Sequence, residues 1–269
     1  MTRLPGRAGP DRGHKRLVRA IGAVAAMATA IAAAPSVAQE TAAPVTPVAA
    51  PAHTPAPAQA PAGGLFGSLE FRGGSPEGIP QWQSVLERIE AERDAYRRCD
   101  EDIAACESPL MIAWRSKIRS LQGRFPLTQI NEINVFVNEI VPYLEDSDNY
   151  GASDYWASPL EFMDNAGDCE DFAIMKFVSL LELGFTNDQM RIVVLEDSLR
   201  NVAHAVVAVQ LEGENLILDS LFSVVLNDTQ ITQYIPQYSV NETTRWAHIV
   251  VPEIRSLYYA RAAGTGAPQ

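Results

Sequence analysis

The segment Asn165-Ala166-Gly167-Asp168-Cys169-Glu170-Asp171 holds the residue best placed for covalent chemistry, a cysteine where a helix begins. The run after it, Phe172 to Leu183, is apolar nearly all round and is followed by Gly184, a residue suited to closing a helix. Cys169 therefore falls in the first turn, with Asp168 or Gly167 as N-cap. Unpaired N–H groups and the positive end of the helix dipole favour a thiolate there, and the thiolate is the form that attacks carbonyls. The same N–H groups suit an oxyanion formed by that attack. Asp168, Glu170 and Asp171 act in the opposite sense, because they disfavour another negative charge beside the sulfur. A hard cation such as Ca²⁺ would resolve the conflict, since closely spaced carboxylates suit it. Acids that merely complement the helix N-terminus are the other reading, and the residues alone leave both open.

A thiolate needs a base. His14 and His53 lie in segments unlike folded protein, which leaves His204 and His248. His204 stands near the start of Ala203-His204-Ala205-Val206-Val207-Ala208-Val209, a strand-like run, and Asp219 follows the apolar run Leu216-Ile217-Leu218. A two-residue connection between these strands puts residues 204 and 219 on one face; a three-residue loop without a bulge separates them. On one face, Asp219 can orient the imidazole and fix its tautomer. His248 ranks lower, because no acid lies a short hairpin away. A structural histidine and a strand-capping aspartate remain the blander readings.

The elements that must position these groups are helices first and strands later. Trp82–Arg98, Met111–Leu121 and Leu127–Tyr143 show helical spacing of apolar residues, the third with Thr128 as its expected N-cap. Residues 145–159 read as an irregular loop, with Trp156 as an aromatic plug. Arg191–Leu195, Ala203–Leu211, Asn215–Leu221 and Arg245–Val251 read as strands of a largely antiparallel sheet. The expected fold is α+β, a buried Cys-bearing helix packed on that sheet.

The flanks differ from this domain. Arg3 to Arg19 form a basic region, Ala20 to Ala34 an apolar stretch, and Ser36-Val37-Ala38 a small-residue site, the order of a cleaved signal peptide over 1–38. The apolar stretch is short of a membrane span. Residues 39–78, rich in Ala and Pro, read as a disordered spacer, 79–258 as the catalytic domain and 259–269 as a disordered tail. The 269 residues carry net charge −12, and without residues 1–38 the balance is 15 basic to 32 acidic, or −17. That surface repels phosphate backbones, so nucleic acid is not an expected partner. Of the three cysteines, Cys99 and Cys106 are close enough for a disulfide in an oxidising compartment, leaving Cys169 as the odd thiol.

Gly167-Asp168-Cys169-Glu170-Asp171-Phe172-Ala173-Ile174-Met175-Lys176, with His204 and then Leu218-Asp219, resembles the bacterial transglutaminase-like cysteine peptidases. So does Asp154-Tyr155-Trp156-Ala157-Ser158-Pro159-Leu160-Glu161-Phe162 upstream. The resemblance covers about residues 80 to 250 and implies a papain-like, transglutaminase-core fold with extra N-terminal helices. It implies a Cys169–His204–Asp219 triad and a periplasmic location. Known members, the LapG-type proteases, process large surface adhesins at a di-alanine site and depend on Ca²⁺. They are held in check by an inner-membrane cyclic-dinucleotide receptor. The resemblance places the ion at Asp168 and Glu170, with Asp171 as a further ligand, and gives Trp156 a role in an oxyanion hole. Ser220 departs from the Asn that often follows the triad Asp. Transglutaminase or amidase-type acyl transfer uses the same acyl-enzyme and is the alternative activity; a non-catalytic binding module is the third.

Overall fold

The computed structural model describes residues 64–264; the expected signal peptide and most of the expected spacer lie outside them. Its helices are α1 (Pro80–Glu101), α2 (Pro109–Leu121), α3 (Pro126–Ile140), the short α4 (Asp146–Asn149), α5 (Pro159–Asn165), α6 (Cys169–Glu182) and α7 (Pro252–Ala262). Its strands are β1 (Leu69–Arg72), β2 (Met190–Asp197), β3 (Val202–Leu211), β4 (Glu214–Leu218), β5 (Leu226–Asn227), β6 (Tyr234–Val240) and β7 (Arg245–Ile249). The strands form one antiparallel sheet in the order β1-β7-β6-β2-β3-β4-β5.

The sheet is buried on both faces. Ala205, Val207 and Val209 of β3 join the helical core around Ile174 and Phe177 of α6, while Val206 and Ala208 join Phe66, Leu195 and Tyr234 on the far side. This two-sided burial explains why the β3 sequence runs apolar without alternating. Helix α6 is central, as its all-round apolar sequence requires, and packs on β3, β2, α3 and α5. Hydrogen bonds fix the outer helices in place. Trp114 Nε1 donates to Ser179 Oγ at 2.9 Å, tying α2 to α6, and Trp82 Nε1 donates to the Asn241 carbonyl at 2.9 Å.

Several boundaries differ from the sequence reading. The spacer does not run to residue 78: Leu65 and Phe66 are buried, and Leu69–Arg72 pairs with β7. The tail is helical through Ala262, because Tyr258 and Tyr259 anchor α7 on Asp228 and the Ile231 carbonyl. Thr128 is not an N-cap; α3 starts at Pro126, whose fixed φ and missing N–H suit the first helical position. The strand expected to reach Leu221 stops at Leu218, and β6 was not anticipated at all. Pro236 hides it, and the pairing with β2 shifts register between Val194 and Leu195, opposite Pro236. Cys99 and Cys106 form a disulfide at the end of α1.

Candidate active site

Asp168 caps α6, as expected. Its carboxylate accepts from the Asp171 N–H while the Asp171 carboxylate accepts from the Asp168 N–H at 3.2 Å, a reciprocal box. Asp171 also accepts from the Ala157 N–H at 2.6 Å, which ties the upstream loop to the helix start. Cys169 is thus the first helical residue, and it is buried. Its thiol donates to Glu170 Oε2 at 3.1 Å.

The second and third groups come from the β3–β4 hairpin. Its connection is the two residues Glu212 and Gly213, with φ of 52° and 89°, the left-handed pair that a tight hairpin turn needs. Val207 pairs with Leu218, so His204 and Asp219 share a face. His204 Nε2 lies 2.8 Å from Asp219 Oδ1. Asp219 is further held by the Leu221 N–H on Oδ1 at 2.9 Å and the Tyr234 hydroxyl on Oδ2 at 2.5 Å, and Asn138 of α3 donates to its carbonyl at 2.9 Å. Burial raises the Asp219 carboxyl, but the hydrogen bond and charge of His204, with the Tyr234 and Leu221 donors, outweigh it and hold the group below the usual carboxylate range. His248 stands apart, buried between Ser68 Oγ on Nδ1 and Ser239 Oγ on Nε2, each at 2.8 Å, so it is a structural histidine.

Cys169, His204 and Trp156 line one cavity of ≈ 440 Å³, together with Asp154, Asp168 and Glu170. Trp156 sits edge-on to Trp82 with ring centroids 6.2 Å apart, and its Nε1 donates to Asp154 Oδ1 at 2.9 Å.

The acids converge beyond the three that the sequence singled out. Asp146, read as a loop former, joins Asp168 and Asp171 in one group of carboxylate oxygens within 4.8 Å of one another, and joins Asp154, also read as a loop former, and Glu170 in a second. Only the fold of residues 145–159 back over the α6 N-terminus places them there; the sequence signal was a dense run of acids. Burial, then Glu170 and the charges of Asp146 and Glu145, pushes Asp168 up to about 9. Burial, with the charges of Asp168 and Asp146, pushes Asp171 up to about 8, and burial raises Glu170 and Asp146 too. Burial and the charges of Glu170 and Asp168 likewise raise the Cys169 thiol far above its ordinary value. Oδ1 of Asp146 and Oδ1 of Asp168 are buried without a hydrogen-bond partner. Orphaned buried carboxylate oxygens in an all-oxygen cluster fit a hard divalent cation.

A helix-borne cysteine packed against an antiparallel sheet, with a His–Asp pair on the adjoining hairpin, defines a papain-like or transglutaminase-like cysteine hydrolase. Residues 94–253, more than half of the chain, match the family described as bacterial transglutaminase-like cysteine proteinase (BTLCP), and the chain belongs to that family. It is a cysteine peptidase by that membership. Among solved structures, Legionella pneumophila LapG is 34% identical over 56% of this chain and 85% of that one, with a TM-score of 0.50. Calcium-bound LapG of the same organism is 30% identical over 62% of this chain and 98% of that one, with a TM-score of 0.51. No curated protein matches the chain.

Proposed function

We propose that this peptidase acts in the periplasm through Cys169, His204 and Asp219, and that its substrate is a surface adhesin. The observation that carries the catalytic part is the His204–Asp219 hydrogen bond beside the cavity of Cys169. Asp219 binds Nε2–H, which leaves Nδ1 as the basic nitrogen. Nδ1 takes the thiol proton, the sulfur attacks the scissile carbonyl, and the developing oxyanion is met by the N–H groups at the start of α6. The imidazolium then protonates the leaving amine. Water, activated by the same nitrogen, releases the acyl group and restores the thiol. Trp156 narrows the cavity; its N–H is engaged by Asp154, so an oxyanion role for it requires that bond to open.

Asp168, Glu170 and Asp171, joined by Asp146 and Asp154, are the residues that would hold Ca²⁺. Bound there, the ion would supply positive charge that offsets these carboxylates, of which Asp168 and Glu170 lie beside the thiol. The calcium-bound form of LapG supports this reading, as do the orphaned oxygens of Asp146 and Asp168. The basic-apolar-small order of residues 1–38 supports export, and no described helix is long and apolar enough to cross a membrane. Resemblance to the adhesin proteases also suggests an inner-membrane cyclic-dinucleotide receptor as regulator.

The test is to incubate the protein and Cys169→Ala, with Ca²⁺, against adhesin N-terminal fragments from the same cell. Cleavage by wild type alone is expected. Equal cleavage by both proteins would remove Cys169 from the mechanism, and an uncut panel would remove the adhesin assignment.

A further inference from the structure

One row of residues crosses five strands on the face that carries α6. Phe71 of β1 pairs with Ala247 of β7, Ala247 with Tyr238 of β6, Tyr238 with Val194 of β2, and Val194 with Ala205 of β3. Directly paired residues point to the same side of a sheet. The row ends at Ala205, which lines the cavity of Cys169. Its other end opens into a second groove of ≈ 560 Å³, lined by Phe71, Ala247, Tyr238, Ile79, Pro80 and Arg245.

The two cavities are continuous in their walls. Tyr238 lines both. Gln81 of the far groove donates to Asp154 Oδ2 of the Cys169 cavity at 2.9 Å. They differ in character. The Cys169 cavity is lined by Glu145, Asp154, Asp168 and Glu170, with Arg200 held by Asp197 at 2.7 Å, whereas the far groove has a mainly apolar lining with Arg72 and Arg245, and Arg245 pairs with no carboxylate among the described residues. Phe71 is 53% exposed in it. An aromatic side chain left open to water beside an unpaired guanidinium is a surface built for something to cover it.

We propose that this row is the track of an extended polypeptide substrate, and that the far groove is a specificity subsite taking a bulky apolar side chain next to a carboxylate. The inference rests on Cys169 being the site of peptide cleavage. Four strand spacings of about 4.8 Å separate Phe71 from Ala205, roughly 19 Å. About five or six residues of extended chain span that distance. The apolar side chain would stack on Phe71 and Tyr238, and the carboxylate would pair with Arg245.

The test uses fluorescein-labelled peptides of about twelve residues with a central Ala-Ala and a Phe-Glu pair about five residues to either side, against matched peptides with Gly-Gly in place of Phe-Glu. Binding is read by anisotropy on Cys169→Ala, and cleavage by mass spectrometry on the active protein, each with and without Phe71→Ser or Arg245→Gln. One of the two Phe-Glu peptides should bind about tenfold more tightly than its Gly-Gly match, and each substitution should abolish that difference. Phe71→Leu should retain most of it. Iodoacetamide labelling of Cys169 should be unchanged in the groove variants. Equal affinities for Phe-Glu and Gly-Gly peptides, or an advantage that survives both substitutions, would overturn the subsite. If the groove-dependent binding holds but Cys169→Ala still cleaves, the catalytic assignment fails and the groove stands as a peptide-binding site.

Discussion

His204 Nε2 and Asp219 Oδ1 lie 2.8 Å apart although 15 residues separate them in the chain, and Tyr234 closes the other side of the carboxylate at 2.5 Å. The pair is buried, so its hydrogen bonds act in a low dielectric, where they set tautomer and orientation firmly. Asp219→Asn keeps the shape but removes the charge that, in the proposed mechanism, stabilises the imidazolium. It should lower kcat by about 1,000- to 10,000-fold with little change in KM. A change in KM alone would show that Asp219 is a strand cap.

Tyr234→Phe removes one hydrogen bond to a buried carboxylate, an interaction of about 1.5–3 kcal/mol. Peptide cleavage should fall roughly 10- to 100-fold. The pH profile of Cys169 alkylation should move as well, because His204 loses the support behind its partner. An unmoved profile would mean that Tyr234 serves packing only.

Calcium should stabilise the fold. At a hundredfold excess over its Kd a ligand adds about 2.7 kcal/mol, a rise of several degrees in Tm for a domain of this size. EGTA should reverse the rise, and Asp146→Asn or Asp168→Asn should abolish it. Identical melting curves with Ca²⁺ and with EGTA would remove the ion from the site.

Reduction of Cys99–Cys106, or Cys106→Ser, frees a short loop. The chain-entropy estimate for a loop of that length is about 2.5 kcal/mol. Tm should drop while iodoacetamide labelling of Cys169 persists. Loss of Cys169 labelling at a temperature where the far-UV spectrum is intact would show that the disulfide shapes the site as well as the helix end.

His248 makes stability depend on pH. Burial, with the Arg191 charge, holds its folded pKa down to about 4 against 6.5 for the free side chain, Glu70 opposing. The unfolded chain then binds more protons between these values, so the contribution is complete above pH 6.5 and is lost as pH falls towards 4. The loss amounts to about 3 kcal/mol. His248→Gln should flatten that part of the urea-derived stability curve by a similar amount. Parallel curves for the two proteins would leave the acid sensitivity to the carboxylates.

How much of this was legible depended on distance along the chain. Residues 165–184 announced a capped, buried helix with a cysteine in its first turn, because capping chemistry and apolar periodicity are local. The α+β order followed from the same local patterns. Parity could only permit His204 and Asp219 to meet, and the two left-handed residues Glu212 and Gly213 decided it. Strand β6 stayed hidden because Pro236 masks a strand whose pairing comes entirely from β2 and β7.

What the sequence determined by itself is the setting of Cys169: its place in the first turn of a buried helix, the acids beside it, and the histidine near the start of an apolar strand. Tertiary structure alone decided the rest. It folded residues 145–159 over the α6 N-terminus so that Asp146 and Asp154 complete an oxygen cluster, and it set Tyr234 behind Asp219. It also placed Leu69–Arg72 at the sheet edge, where Phe71 begins a row ending at Ala205. The physical reason is that backbone propensity and periodicity act over a few residues. Carboxylate clusters and cross-strand rows are made by contacts between segments far apart in the chain, which only the packed core brings together.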